Sequence, residues 1–277
     1  VNGDSERAIS EYDKGKLYLE SFESYSRYLE FHNYCDNISN EEIFKRYKTF
    51  GQRLEKDIKE LATTQFKKEQ GKKIKIAYLS PDFRTHSVAH FLKPIFETHN
   101  RQRFQIYAYS DTAAKCENNQ FFRSNTDVWC DSYELSDESL AKQIQADGID
   151  ILIDLASYTA KNCRMRVFAM RAAPIQVSYL GFPNTSGLSR MDYRIVDRFT
   201  DPINVAEAQS TEALIRLAGG FLSFIPEEDT PDVEIKQSSD KNVFTFGSFN
   251  SYLKITDEIV SVWAEILKQV PNSKLYV

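Results

Sequence analysis

Two of the four histidines in this 277-residue chain stand one helical turn apart in "SPDFRTHSVAHFL" (residues 80–92), directly after an apolar run. A neutral imidazole titrates near physiological pH and can take a proton from a hydroxyl, so His86 and His90 are candidate acid–base groups. The same spacing puts both on one helix face, as a metal-binding pair would need. A metal, however, requires at least a third ligand, and the Glu of an HExxH pattern is missing. An ordinary capped helix with two polar side chains fits equally well. Two further apolar runs end in polar side chains. "DLASYTAKN" (154–162) offers Asp154, Ser157, Tyr158 and Thr159, of which Asp154 and Thr159 can instead cap the next turn. "SYLGFPNTSG" (178–187) runs into Gly181, Pro183, Asn184, Thr185, Ser186 and Gly187. Exposed amides there would suit a phosphate. The stretch is no GxGxxG fingerprint and Pro183 lacks a donor, so nicotinamide binding is not favoured and a plain turn competes.

Positioning these side chains requires elements that place the three loops together. From residue 74, short apolar strands alternate with helices. "IKIAYLS" (74–80), "FQIYAYS" (104–110), "IDILIDLAS" (149–157), "PIQVSYLGF" (174–182), "DYRIVD" (192–197) and "ALIRLAG" (213–219) read as strands. "SVAHFLKPIFETH" (87–99, interrupted by Pro94), "SLAKQIQADG" (139–148) and "CRMRVFAMRA" (163–172) read as helices. That rhythm predicts an α/β fold with a doubly wound parallel sheet, whose ligands sit beyond the carboxyl ends of the strands. All three polar loops lie at such ends.

Residues 5–66 read as helices, with apolar Leu17, Leu19, Phe22, Tyr25, Tyr28, Leu29 and Phe31 at three-to-four spacing. A second helix, capped by Ser39 or Asn40, carries the stripe Ile43, Phe44, Tyr47 and Phe50. "KKEQGKK" (67–73) and the acidic, Pro-containing "IPEEDTPDVEIKQSSDKN" (225–242) read as linkers. A fresh strand–loop–helix–strand unit follows; its helix, capped by Thr256 or Asp257, is striped by Ile259, Val260, Trp263, Ile266 and Leu267. The expected organisation is therefore a helical subdomain and linker (1–70), a Rossmann-like lobe (71–225), a linker (226–242) and the beginning of a second, truncated Rossmann-like lobe (243–277).

Bulk properties exclude several classes. The chain is 42% hydrophobic and 27% charged, as globular proteins are, and its net charge of −5 provides no general basic field for nucleic acid. No apolar run approaches the ~18 residues of a membrane span, and the opening residues lack a signal-peptide core. Cys35, Cys116, Cys130 and Cys163 form no CxxC pair. Free thiols in a reducing, cytoplasmic compartment are expected.

"IAYLSPDFRTHSVAHFL", "DGIDILIDLASYTAKNCRMRVFAMRAAPIQVSYLGFPNTSGLSRMDYRIVD" and "FGSFNSYLKITDEIVSVWAEILKQVPNSKL" closely resemble the O-linked N-acetylglucosaminyltransferase (SPINDLY-like) family, glycosyltransferase family 41, in its bacterial form. The resemblance runs from about residue 70 to the end. "NYCDNISNEEIFKRYKTFGQRL" is similar to the segment that precedes the catalytic region of bacterial members, often after tetratricopeptide repeats. It implies a GT-B fold of two Rossmann-like lobes. The implied activity is inverting transfer of a sugar, N-acetylglucosamine first among them, from a UDP-sugar to Ser or Thr of a protein or peptide. No metal or other cofactor is implied.

In that reading His86 matches the family's active-site histidine, a base or positioner of the acceptor. Thr159 matches a donor-site threonine, and Leu180, Gly181 and Pro183 match the LGxP segment lining the sugar-nucleotide pocket. His90, Asp82, Asp154, Tyr158, Asn184 and Thr185 are expected in support. The chain departs from bacterial relatives by Ser157-Tyr158-Thr159 in place of Gly-His-Thr and by Asn184 in place of Gly, adding bulk expected to fall beside the pocket. The family's main uridine and diphosphate contacts, including a lysine at the leaving diphosphate, lie beyond Val277. This chain is thus expected to hold the acceptor-side half of the site and to be inactive alone. The alternative is a non-catalytic protein- or glycan-binding module derived from the same fold.

Overall fold

Seven strands, six of them falling in the apolar segments read from the sequence, form one parallel sheet. The structure, a computed structural model, describes residues 7, 9–11, 22–35, 37–61, 66, 70–159, 163–226, 230–232 and 243–277. The strands are β1 (Ile74–Ser80), β2 (Phe104–Ser110), β3 (Val128–Asp131), β4 (Ile151–Asp154), β5 (Ile175–Tyr179), β6 (Tyr193–Asp197) and β7 (Ala213–Leu217). They lie in the order β3-β2-β1-β4-β5-β6-β7. Ser80 pairs with Ser110 on one side of β1, and Leu79 with Asp154 on the other. The chain winds outward from β1 to β3, then returns to β4. The order therefore reverses between β1 and β4, and the loops leaving these two strands diverge to open a crevice.

Each sheet face carries its own apolar cluster. On one side lie α3 (Ser87–Thr98) and α4 (Glu117–Ser124), with Phe83, Val88, Leu92, Phe96 and Phe122 buried against Ile106 and Val177. On the other, α5 (Asp137–Ala146) and α6 (Met165–Ala169) cover Tyr109 and Leu152. The N-terminal helices α1 (Phe22–Phe31) and α2 (Asn40–Asp57) bury Leu29, Tyr47, Phe50 and Leu54 in that same cluster. They form an outer layer of the sheet's own core.

The start of α2 follows its sequence. Ser39 Oγ accepts the N–H of Glu42 at 3.2 Å, and Glu41 and Glu42 occupy the positive first turn. Its seat is set by two glycines. A Cβ on Gly51 would lie 2.0 Å from the Gly187 carbonyl oxygen, and one on Gly187, at φ +74°, 2.1 Å from that of Tyr47. Helix and loop touch backbone to backbone, which only glycine allows.

Two expectations are corrected, and two elements are added. Helix α3 runs unbroken through Pro94, which is itself buried with Leu92 and Phe96 against the sheet. Helix α4 and strand β3 lack a clear sequence signature: "ENNQFFRS" is mostly polar, and the edge strand "VWCD" is nowhere fully buried. The strand expected over 149–157 shortens to four residues because its end coils into a turn. Leu17 and Leu19, residues 67–69 and most of 226–242 lie outside the described residues.

In the last unit, β8 (Phe244–Gly247) and β9 (Ser273–Tyr276) pair in parallel across α7 (Asp257–Gln269), whose N-cap Thr256 accepts the Ile259 N–H at 3.3 Å. The apolar stripe of α7 stays open: Ile259, Val260 and Ile266 are exposed, and no residue of α7 is buried. Two strands cover one side of a helix only. Trp263 and Leu267 face Phe246 and Leu275 around a cavity of about 140 Å³. All four cysteines are free, and no described helix is long and apolar enough to cross a membrane.

Candidate active site

The loop after β1 is clamped at every step. The Asp82 N–H donates to Ser80 Oγ at 3.0 Å, turning the chain as it leaves the strand. Phe83 plugs into the core, its ring 5.1 Å from Phe122 and 5.5 Å from Trp129, while its carbonyl accepts from Asn119 Nδ2 at 3.1 Å. What remains is a fixed arm that delivers His86 to the N-cap of α3. There Nδ1 accepts the Val88 N–H at 3.3 Å. The same Nδ1 lies 3.5 Å from Oδ2 of Asp82, a buried carboxylate whose Oδ1 accepts from Arg84 at 3.0 Å. The His86 side chain stays 36% exposed. With Nδ1 engaged, Nε2 is the nitrogen left for an incoming group. His90, one turn further on, is half-buried in α3. Among the described residues no three His, Cys, Asp or Glu side chains cluster as a metal would require.

The loop after β4 behaves as a turn. Asp154 Oδ1 accepts from the N–H groups of Ala156 and Ser157, each at 3.1 Å, and Ser157 adopts φ +48°. Asp154 Oδ2 is buried without a hydrogen-bond partner, and burial pushes its pKa up to about 6. Thr159 is half-buried, with Oγ1 donating to the Ala156 carbonyl at 2.7 Å. Tyr158 corrects an expectation. Its ring is fully buried among Tyr47, Phe182 and Phe50 at 5.3, 5.4 and 6.0 Å, and its hydroxyl donates to the Ser186 carbonyl. Its bulk is spent in the seam under α2.

The loop after β5 divides into two halves. In the first, Leu180 takes φ +72° and packs on the cluster holding Phe83 and Val88. A Cβ on Gly181 would lie 1.8 Å from the Leu155 carbonyl oxygen. Glycine here lets the loops after β4 and β5 lie in contact. Pro183 is exposed.

The second half overturns the phosphate-cradle expectation. The N–H groups of Thr185, Ser186, Gly187 and Leu188 are all taken, by Asn184 Oδ1 (2.8 Å), Glu212 Oε1 (2.7 Å), Thr185 Oγ1 (3.1 Å) and Ser186 Oγ (3.2 Å). The Thr185 hydroxyl donates to Glu212 Oε2 at 2.6 Å, and that of Ser186 to Oε1. Glu212 is buried at the entry to β7 and already serves as the anion this loop binds. Asn184 reaches away to Asn33 at 2.9 Å, next to α2. Nothing in "QSTEAL" marks Glu212 as a partner of a loop 26 residues upstream.

The fold is thus a Rossmann-like lobe of GT-B character, with a loop-borne histidine at the point where the strand order reverses. Residues 53–227 match the family model for Glycosyl transferase family 41, and the chain belongs to that family. Among curated relatives, the probable UDP-N-acetylglucosamine–peptide N-acetylglucosaminyltransferase SPINDLY of Arabidopsis thaliana is 34% identical over 249 residues, covering 88% of this chain and 27% of the relative. The probable transferase SEC of the same plant is 37% identical over 221 residues, covering 76% and 22%. A solved structure of a mutant Thermobaculum terrenum O-GlcNAc transferase superposes with a TM-score of 0.91 at 28% identity, over 99% of this chain and 52% of that one. The chain therefore spans about a quarter of the plant relatives it matches and about half of the solved transferase.

Proposed function

We propose that this chain carries the acceptor-side half of a protein O-glycosyltransferase site, which transfers N-acetylglucosamine from UDP-N-acetylglucosamine to Ser or Thr with inversion. The observation that carries the reading is His86, half-exposed on a rigid arm at the strand-order switch with a buried carboxylate behind it. In the reaction the acceptor oxygen forms a bond to the anomeric carbon as the bond to UDP breaks. The bonding pair leaves on the diphosphate and the hydroxyl proton passes to the His86 imidazole. Thr159, Leu180, Gly181 and Pro183 line the donor side. The proposal involves no metal and no cofactor beyond the donor, so the charge on the leaving UDP falls to backbone amides and a cationic side chain. The unit 243–277 opens the second lobe in this reading. Four free thiols favour a cytoplasmic setting.

The test is His86→Ala in the full-length enzyme, assayed with UDP-N-acetylglucosamine and an acceptor peptide. Transfer is expected to fall by roughly 10²- to 10⁴-fold, with UDP affinity kept. Full transfer by this variant removes His86 from the chemistry.

A further inference from the structure

We infer that Asp82 is the positioning residue that sets the tautomer of His86, and thereby decides whether its Nε2 can accept a proton. The inference rests on the reading of His86 given above. Nδ1 of a neutral imidazole holds either a lone pair or a proton, never both. Here it has a suitor for each: the Val88 N–H at 3.3 Å, which needs the lone pair, and Asp82 Oδ2 at 3.5 Å, which needs the proton. When Nδ1 caps the helix, the ring's one proton sits on Nε2, and that nitrogen cannot take another from a hydroxyl. When Nδ1–H turns to Asp82, Nε2 carries the lone pair. One contact belongs to the resting helix cap and the other to the competent base.

Asp82 is built for the second contact. It is 4% exposed, its Oδ1 is occupied by Arg84 at 3.0 Å, and its backbone is tied to Ser80 Oγ at 3.0 Å. Oδ2 is thereby left to the imidazole. A carboxylate held this way also stabilises the imidazolium formed once the acceptor proton arrives on Nε2, because both ring nitrogens then carry protons and Asp82 Oδ2 lies 3.5 Å from Nδ1 to receive one of them. The proton balance closes: one proton stays on Nδ1 throughout, and the acceptor's proton adds at Nε2.

The experiment is ¹⁵N labelling of the histidines, of which the chain has four, read by long-range proton–nitrogen correlation about two pH units above an ordinary imidazole midpoint. The His86 signal is identified by its loss in His86→Gln. Wild-type protein is expected to show a substantial Nδ1–H population at His86. Asp82→Asn keeps the size and the acceptor for Arg84 but offers Nδ1 an N–H, and is expected to shift the ring to the Nε2–H form. Signals of His32, His90 and His99 should stay in place, reporting an intact fold. In the full-length enzyme the same variant is expected to lower kcat for transfer about 100-fold with KM within about twofold, and Asp82→Glu to recover part of the loss. An unchanged His86 tautomer in Asp82→Asn overturns the inference. So does a shifted tautomer with undiminished kcat, provided that His86→Ala abolishes transfer. If His86→Ala transfers normally as well, the reading of His86 falls with it.

Discussion

The loops after β1 and after β5 are built from the same materials and end in opposite states. Both leave a buried strand, both are rich in hydroxyl and carboxylate partners, and both lie at the carboxyl edge of the sheet. In residues 80–86 the internal bonds fix the backbone and stop short of the last side chain, so His86 keeps a nitrogen available. In residues 185–188 every amide and both hydroxyls are consumed within the fold, under α2. A polar loop at the right edge of a Rossmann-like sheet is thus not a site by composition. It becomes one when its bonding leaves a group over.

The largest effect that tests this contrast lies at Glu212. Glu212→Ala strands the Ser186 hydroxyl and amide and the half-buried Ser210 hydroxyl, the last of which donates to Oε2 at 2.7 Å, and leaves the Thr185 hydroxyl with Thr211 Oγ1 at 3.0 Å in place of the carboxylate. Buried donors without acceptors cost about 1–3 kcal/mol each before relaxation. A net loss of about 3 kcal/mol, or a Tm lower by roughly 10 °C, is expected by calorimetry. If the loop were instead a ligand cradle, the variant would keep its Tm and lose affinity for UDP-sugar.

A smaller effect is expected at Asp154, between the two loops. Burial, with the Glu212 charge adding to it, raises its carboxyl pKa from 3.8 to about 6, against the pull of the Ser157 and Ala156 amides. A raised folded-state pKa means that protonation favours folding. The stability is present in full below about pH 4 and is lost as pH rises through 6. Asp154→Asn keeps an oxygen for the two amides and removes the charge. Relative to wild type it is therefore expected to gain about 2 kcal/mol between pH 4.5 and pH 7.5, read from Tm across that range. A difference in Tm that is flat with pH would show that Asp154 ionises in the fold without penalty.

These contrasts mark what was legible. The parallel sheet was, because buried strands such as "IKIAYLS" and "PIQVSYLGF" are apolar on both faces, and so was the Ser39 cap, a purely local signal. Strand β3 and helix α4 were not, since an edge strand and an outer helix need only a few apolar positions. His86 was legible as a loop–helix junction. The fate of "NTSG" was not, because it is decided by Glu212 and by Gly51, both remote in sequence. Tyr158 was misplaced for the same reason: its partners Tyr47 and Phe50 come from a helix more than 100 residues upstream.

The smallest effect on stability should come from the loop proposed to carry the chemistry. The His86 side chain holds the fold chiefly as an N-cap, through a bond of 3.3 Å to the Val88 amide, with the Asp82 carboxylate 3.5 Å away. Losing a capping acceptor costs about 1 kcal/mol, which in a chain of this size moves Tm by roughly 2–4 °C. Asparagine is among the best N-cap residues, so His86→Asn should restore the cap and bring Tm back to within about 1 °C of wild type. It has no nitrogen that accepts a proton near neutral pH, so transfer should remain as low as in His86→Ala. The comparison of the two variants separates the roles of one side chain: stability follows the cap, and transfer follows the imidazole. A His86→Asn protein that regains transfer along with Tm would mean that the histidine serves the helix alone, and that the β1 loop, like the β5 loop, spends all of its polar groups on the fold.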